Sequence, residues 1–194
     1  MKLEKININN IRIETSRLIM RPFEEKDLND FYEYASENGV GESAGWKHHE
    51  SIEESKEVLK TFIEGHNIFA IEEKLSGKVI GSIGFGASPD GYKDCKIGEN
   101  INDISYVIGR NYWDKDYASE ALSGVISHAF YMLNLDAVTC ACFKDNDKSK
   151  AVFEQCGFVP VADGKYTTQL GETYEAVYYA LTHSRYGIEY VSEN

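Results

Sequence analysis

The segment at residues 109–122, GRNYWDKDYASEAL, combines two features that suit an anionic ligand. It leads from a β-branched apolar run, DISYVIG, into a long amphipathic pattern, so it joins a strand to the start of a helix. The first backbone N–H groups of a helix have no intrahelical partners and carry the positive end of the helix dipole. The segment therefore predicts a binding site for phosphate or another anion.

Other motifs that carry chemistry are absent from the sequence or weak. The run GSIGFG places glycines at 81, 84 and 86, inside an alternating pattern and without a helix behind them. This predicts a bulged strand and not a dinucleotide fingerprint. No P-loop, G-x-S-x-G elbow or H-E-x-x-H motif occurs, which removes the common nucleotidase and hydrolase classes.

The cysteines are Cys95, Cys140, Cys142 and Cys156, and no two of them form a C-x-x-C pair. Their spacing favours reduced thiols in a cytoplasmic protein over a disulfide framework or a zinc site. We therefore expect no metal.

Composition limits the remaining classes. A chain of 194 residues that is 42% hydrophobic and 27% charged is expected to form a single domain over residues 1–194. The net charge of −12 disfavours nucleic acid as a partner. The N-terminus has no apolar signal region and no stretch reaches the length of a membrane span, so we expect no membrane partner.

Periodicity predicts the elements that must hold the anion-binding segment. Period-two alternation predicts strands at 16–23, 67–74, 78–85, 103–109, 136–143, 158–165 and 172–182. Helical spacing predicts helices at 24–38, 52–63, 116–135 and 145–156, the second of them capped by Ser51. The polar segment at 87–99 is predicted to be a loop. The order predicts an α/β fold with a mixed, mostly antiparallel sheet of about seven strands and helices on both faces.

Three motifs, in order and spacing, resemble the GNAT superfamily of acetyl-CoA-dependent N-acetyltransferases, and within it the ribosomal-protein N-terminal acetyltransferases. The family pattern T-x-R-L-x-x-R is matched by Thr15, Arg17, Leu18 and Arg21. The pattern Y-W-G-K-G-Y-A-x-E-A is matched by YWDKDYASEA at 112–121. The pattern N-x-x-S-x-x-V before G-F is matched by Asn146, Ser149, Val152, Gly157 and Phe158. The resemblance extends over residues 15–181.

The resemblance implies a GNAT fold that transfers an acetyl group from acetyl-CoA to a primary amine by direct attack. The amine belongs to a protein N-terminus or to a small molecule. In this family the coenzyme pyrophosphate binds the loop entering the long helix, and the pantetheine arm lies along the fourth strand. The implied coenzyme-binding residues are Val107, Ile108, Asp114, Lys115, Asp116, Tyr117, Ala118, Ser119, Asn146 and Phe153.

The resemblance also implies catalytic candidates. Asp103 is a candidate base acting through water, and the alternative is a solvated acid at a strand end. Ser149 is a candidate partner of the departing thiol, and Tyr106 a candidate proton donor. Asn146 suits an N-cap equally well. Two adjacent histidines, His48 and His49, fall where relatives line the acceptor pocket, although polar surface residues are the default interpretation.

The sequence departs from the family at two loop positions. Asp114 and Asp116 stand where the family has glycine, and they add negative charge beside a pyrophosphate. An alternative hypothesis is therefore a degenerate GNAT domain that binds acyl-CoA poorly and acts as a regulatory or interaction module. Exposed sheet edges would also permit a homodimer.

Overall fold

The computed structural model describes residues 6–88, 92 and 95–186. Its strands are β1 (Ile13–Glu14), β2 (Leu18–Pro22), β3 (Ile68–Glu73), β4 (Val79–Gly86), β5 (Ile101–Ile108), β6 (Ala137–Phe143), β7 (Val159–Thr167) and β8 (Thr173–Thr182). Its helices are α1 (Leu28–Ala35), α2 (Ile52–Gly65), α3 (Tyr117–Tyr131) and α4 (Asp147–Gln155). The predicted loop at 87–99 includes 89–91 and 93–94, which lie outside the described residues.

The eight strands form one sheet in the order β1-β2-β3-β4-β5-β6-β8-β7. All neighbouring strands are antiparallel except β5 and β6, which are parallel and joined through α3. The predicted mixed, mostly antiparallel α/β architecture is confirmed. The sheet has one strand more than the predicted seven, because the two residues of β1 are too few to show an alternating pattern.

Helices cover both faces of the sheet, as predicted. Ile71 of β3 packs in a core that also contains Phe130 of α3, whereas its neighbour Ala70 packs with Phe31 of α1 and Leu59 of α2. Successive side chains of a strand point to opposite faces, so α1 and α2 lie on one side and α3 on the other. The buried Phe153 places α4 in the same core as α3.

Three helices are shorter than their periodicity predicts, and α4 begins only at Asp147 because Asn146 caps it. A 3-10 turn at Glu25–Asp27 precedes α1, and α3 ends at Tyr131 before Asn134, whose φ of 52° is left-handed. Ser51 caps α2 as predicted and accepts a hydrogen bond from the N–H of Glu54 at 3.2 Å.

The glycine-rich run lies in β4, and the bulged strand is confirmed. Ile71 of β3 pairs with Gly81 and Glu72 pairs with Val79, so Ile80 is an extra residue in β4. A Cβ at Gly81 would come within 2.2 Å of the carbonyl oxygen of Val107, which explains why the close approach of β5 requires glycine there.

No helix among the described residues is long and apolar enough to cross a membrane. In the same part of the chain, no three or more His, Cys, Asp or Glu side chains cluster as a metal site would require. The four cysteines are free, and Cys140, Cys142 and Cys156 are buried.

Candidate active site

The sheet opens between β5 and β6. The two strands pair only from Ile101 to Asp103, which lie beside Ala137 to Thr139. Beyond that point β5 continues along β4, and β6 continues along β8. A cavity of about 560 Å³ occupies the gap between β5, β6 and the first turns of α3 and α4.

One edge of β5 faces this cavity with its backbone. The N–H of Gly109 donates to the carbonyl of Ile80 at 2.9 Å, so alternate residues counted back from Gly109 face β4. Ile104, Tyr106 and Ile108 therefore direct their N–H and C=O groups toward β6 and the cavity, and the N–H of Ile104 closes the parallel pairing on Thr139. This free edge can pair with an extended ligand as an additional strand would.

Val107 and Ile108 both line the cavity, but they differ in what their backbones offer. By the same alternation the backbone of Val107 faces β4, so only its side chain is available to a ligand. The carbonyl of Ile108 accepts a hydrogen bond from Nε1 of Trp113 at 2.7 Å. The open part of the edge thus consists of the C=O of Ile104, both groups of Tyr106 and the N–H of Ile108.

The loop entering α3 presents a row of free donors. Within the part of the chain that the structure describes, the backbone N–H groups of residues 114–119 have no hydrogen-bond acceptor. Asp114 and Asp116 adopt left-handed φ angles of 58° and 60°, the conformation that glycine adopts most readily. Aspartate is among the residues that tolerate it best, so the loop keeps a glycine-like path without glycine.

The charged side chains of this loop differ in direction. Both carboxylate oxygens of Asp114 lie within 2.6 Å of Nζ of Lys148, in the first turn of α4. Asp116 lines the cavity and forms no side-chain cap on α3. Lys115 is not among the residues that line the cavity, and its ammonium donates to the carbonyl of Asn111 at 2.8 Å.

The first turn of α3 forms part of the cavity wall, where Tyr117, Ala118 and Ser119 all lie. The hydroxyl of Ser119 donates to the carbonyl of Asp116 at 3.1 Å, which steadies the turn from within. The hydroxyl of Tyr117 donates to Glu73 of β3, so this ring is tied to the sheet.

Arg17 and Glu120 stabilise the loop entering α3 through contacts outside the cavity. Nη1 of Arg17 donates to the carbonyl of Lys115 at 2.9 Å, and its guanidinium lies 4.4 Å from the ring centre of Tyr117. Glu120 binds Nε of Arg17 at 2.6 Å and accepts a further bond from the hydroxyl of Thr15. Sequence reasoning missed this role, although Thr15 and Arg17 belong to the T-x-R-L motif that it identified.

Asp103 lies where β5 and β6 separate. Its Oδ1 accepts a hydrogen bond from the hydroxyl of Thr139 at 2.7 Å, and the residue lines the cavity. Burial raises the pKa of Asp103 to about 7, although the bond from Thr139 lowers it. A carboxyl group with this pKa can accept a proton near neutral pH.

Tyr106 and Ser149 line the same cavity, one on β5 and the other on α4. Burial raises the pKa of Tyr106 above its usual value, and the nearby Ser149 partly opposes that rise. The ring of Tyr106 meets Phe153 edge to face at 6.0 Å. The structure thus brings Asp103, Tyr106 and Ser149 to the same cavity, as sequence reasoning grouped them.

Asn146 lines the cavity and caps α4, because its Oδ1 accepts a hydrogen bond from the N–H of Ser149 at 3.1 Å. Its Nδ2 donates to the carbonyl of Ser43 at 3.4 Å. Phe153 is buried at the cavity floor and also packs against Phe158.

The histidine pair differs from the default expectation of exposed polar residues. His49 is buried, bonded to Ser55 at 2.7 Å and packed edge to face on Phe31, because its imidazole fills the core beneath α1 and α2. Nδ1 of His48 lies 2.7 Å from Oε1 of Glu42. Neither histidine lines the cavity; Ser43 and Ala44 of the same loop do.

Phe143, Tyr166 and Ala176 form an aromatic end of the cavity, together with Ser43 and Ala44. The rings of Phe143 and Tyr166 meet at 5.9 Å. Sequence reasoning did not single out this aromatic end, because β6, β7 and the loop before α2 form it from distant segments.

Comparison with known proteins places this geometry in context. Residues 17–159 match the family model of the acetyltransferase (GNAT) domain. The N-acetyltransferases YoaA and YnaD of Bacillus subtilis (strain 168) are 29% and 30% identical to this chain. The alignments cover 89% and 88% of this chain and 97% and 96% of those proteins.

Solved structures share the fold. An acetyltransferase of the GNAT family from Bacillus anthracis superposes with a TM-score of 0.76 at 22% identity, covering 90% of this chain and 99% of that one. A spermidine N-acetyltransferase from Vibrio cholerae, in complex with CoA and spermine, gives 0.70 at 18% identity and covers 89% and 99%.

Proposed function

The chain belongs to the GNAT family of acetyltransferases, and we propose on this premise that its cavity binds acetyl-CoA and directs the acetyl group to a primary amine. The observation that carries the proposal is that the chain has both an unpaired β5 edge and a row of free N–H groups at the start of α3. Both features converge on one cavity, which also holds the three catalytic candidates.

The residues present fit the coenzyme. The free N–H groups of residues 114–119 suit phosphate oxygens, and the start of α3 adds the helix dipole. The backbone of Ile104 and Tyr106 suits the amides of a pantetheine arm. Acetyl-CoA, when bound, supplies the acetyl group as a thioester.

Asp103 serves as the general base in this proposal. The amine must lose a proton to act as a nucleophile, and Asp103 receives that proton directly or through one water molecule. Its raised pKa, about 7, suits proton transfer near neutral pH. Thr139 holds the carboxyl group in place through Oδ1, which leaves Oδ2 for the proton.

Tyr106 and Ser149 serve the departing thiol. A phenol whose pKa is raised by burial stays protonated and can donate to a developing thiolate. Ser149 lines the same cavity, and its hydroxyl can donate a hydrogen bond to the departing sulfur.

The acceptor enters from the aromatic end in this proposal. Phe143 and Tyr166 offer ring faces and edges to the cavity that Asp103 also lines, and such rings suit a cationic amine before it is deprotonated. Both a protein N-terminus and a small amine satisfy this chemistry, and a spermidine N-acetyltransferase is among the proteins that share the fold.

The test is thermal unfolding with acetyl-CoA, free CoA and ADP, followed by thiol release with a panel of primary amines. A ligand at about 100 times its Kd should stabilise the fold by ~2.7 kcal/mol. We expect a clear rise with acetyl-CoA and CoA, and acetylation of at least one amine. No shift at millimolar coenzyme would overturn the proposal in favour of a degenerate domain that acts as an interaction module.

Two further expectations belong to this proposal. The four free cysteines suit a reducing compartment, and we propose the cytoplasm. A homodimer through an exposed sheet edge stays a prediction, which sedimentation equilibrium would check.

A further inference from the structure

The cavity wall carries an uneven set of charges. Of the described residues that line it, Lys148 is the one with a basic side chain. The acidic ones are Asp103, Asp114, Asp116 and Asp147. A ligand with several phosphate groups therefore meets an excess of negative charge, and Lys148 is the cation placed to compensate it.

Lys148 is already bound to an anion of the α3 loop. Its Nζ lies 2.6 and 2.5 Å from the two carboxylate oxygens of Asp114. The same ammonium lies 5.4 Å from the ring centre of Trp113, and the indole of Trp113 is fixed by its bond to Ile108. Lys148 is thus held beside the loop whose N–H groups are free.

The ion pair can be exchanged at low cost. The side chains of Lys148 and Asp114 are 58% and 73% exposed, and exposed pairs contribute little to stability. The coenzyme pyrophosphate carries two negative charges against one on the carboxylate, so it attracts an ammonium more strongly. A phosphate on the free N–H groups would also repel the Asp114 carboxylate from its present position.

We propose that Lys148 is a phosphate-binding residue for the coenzyme, and that Asp114 occupies it until the coenzyme arrives. The inference rests on the proposed coenzyme site and deepens it. The phosphate replaces the carboxylate on Nζ, and the Asp114 side chain turns to solvent. The exchange explains how this chain keeps aspartate where the resembling family has glycine: the charge is neutralised in the free protein and displaced in the complex.

Calorimetric titration of the full chain with CoA tests the exchange. We expect Lys148→Met to raise the Kd by about tenfold and Lys148→Arg to stay near the wild-type value, because charge and not packing is required. Asp114→Asn keeps a residue that tolerates left-handed φ and removes the competing charge, so it should lower the Kd.

The matched control is Lys150→Met. Lys150 lies on the same helix, its loss removes the same charge, and its ammonium binds Asp147 at 3.0 Å instead of the loop. Equal losses in Lys148→Met and Lys150→Met, an unchanged Kd in Lys148→Met, or weaker binding by Asp114→Asn would each overturn the exchange. Wild-type protein that does not bind CoA would overturn the coenzyme site itself, a result distinct from the other three.

Discussion

Asp103 has a raised pKa, and its ionised form lowers the stability of the folded state. It lies at the point where β6 separates from β5, and burial raises its pKa to about 7 while Thr139 supplies one hydrogen bond. A carboxyl group that is hard to ionise is a good proton acceptor at neutral pH, but its charged form is unfavourable in the folded state. Ionisation of Asp103 is therefore expected to favour activity and to lower the stability of the folded state.

Replacing Asp103 should remove one ionisation from the pH profile of kcat/KM. We expect Asp103→Asn to lower kcat/KM by about 10²-fold with little change in the affinity for acetyl-CoA. In the wild type, kcat/KM should rise as Asp103 ionises through about pH 7, in addition to the limb of the acceptor amine. The variant should keep only the amine limb. The exposed Asp163→Asn is the control, and an unchanged profile in Asp103→Asn would exclude Asp103 as the base.

The same substitution should stabilise the protein. The folded-state pKa of Asp103, about 7, lies above its ordinary value of 3.8, so between these pH values the folded state holds a proton that the unfolded state has lost. Its contribution to stability is present at low pH and is lost as the pH rises from about 4 to about 7. Asp103→Asn should therefore raise the Tm at about pH 8 and change it little at about pH 4. A lower Tm at the higher pH would contradict this.

At the scale of elements, the α3 loop depends on the segment that joins β1 to β2. Arg17 bonds the carbonyl of Lys115 and stacks on Tyr117, while Glu120 returns from α3 to bind Arg17. Burial opposes the charge on Glu120, yet hydrogen bonds from Thr15 and Arg17 lower its pKa overall. The ion pair of Arg17 with Glu120 therefore holds the α3 loop in position.

Arg17→Lys should loosen the loop without removing its charge. A lysine cannot bind Glu120 and the Lys115 carbonyl in the fork geometry of a guanidinium. We expect the KM for acetyl-CoA to rise by about three- to tenfold, with kcat nearly unchanged, since Arg17 does not line the cavity. Arg12→Lys, whose guanidinium binds the exposed Glu14, is the control. A fall in kcat alone would contradict a positioning role.

Elements of regular period were predictable, and contacts between distant residues were not. The helices and most strands follow from apolar spacing, and the grouping of Asp103, Tyr106 and Ser149 follows from the family motifs. The pair of Lys148 with Asp114 joins residues 34 positions apart, so no local pattern signals it. The left-handed φ angles of Asp114 and Asp116 had one signal, the glycines of the resembling family.

At the scale of the whole molecule, the two substrates meet the same negative field. The net charge of −12 acts over distances greater than any single contact, and the cavity wall adds to it locally. An anionic coenzyme is repelled on approach and a cationic amine is attracted, and salt screens both effects within about a Debye length.

A higher ionic strength should therefore favour the binding of acetyl-CoA and disfavour the binding of a cationic amine. Between about 10 and about 200 mM salt, the association rate of acetyl-CoA should rise and the KM of a cationic amine should also rise, because repulsion of one and attraction of the other both weaken. Stopped-flow binding and steady-state assays with an amine that stays neutral at the assay pH, as control, measure these effects. In Lys148→Met, the association rate of the coenzyme should depend on salt as it does in the wild type. The substitution should mainly raise the dissociation rate, because a single short-range contact acts after the coenzyme has bound. An association rate that falls with salt would mean that the local cation outweighs the field of the whole chain.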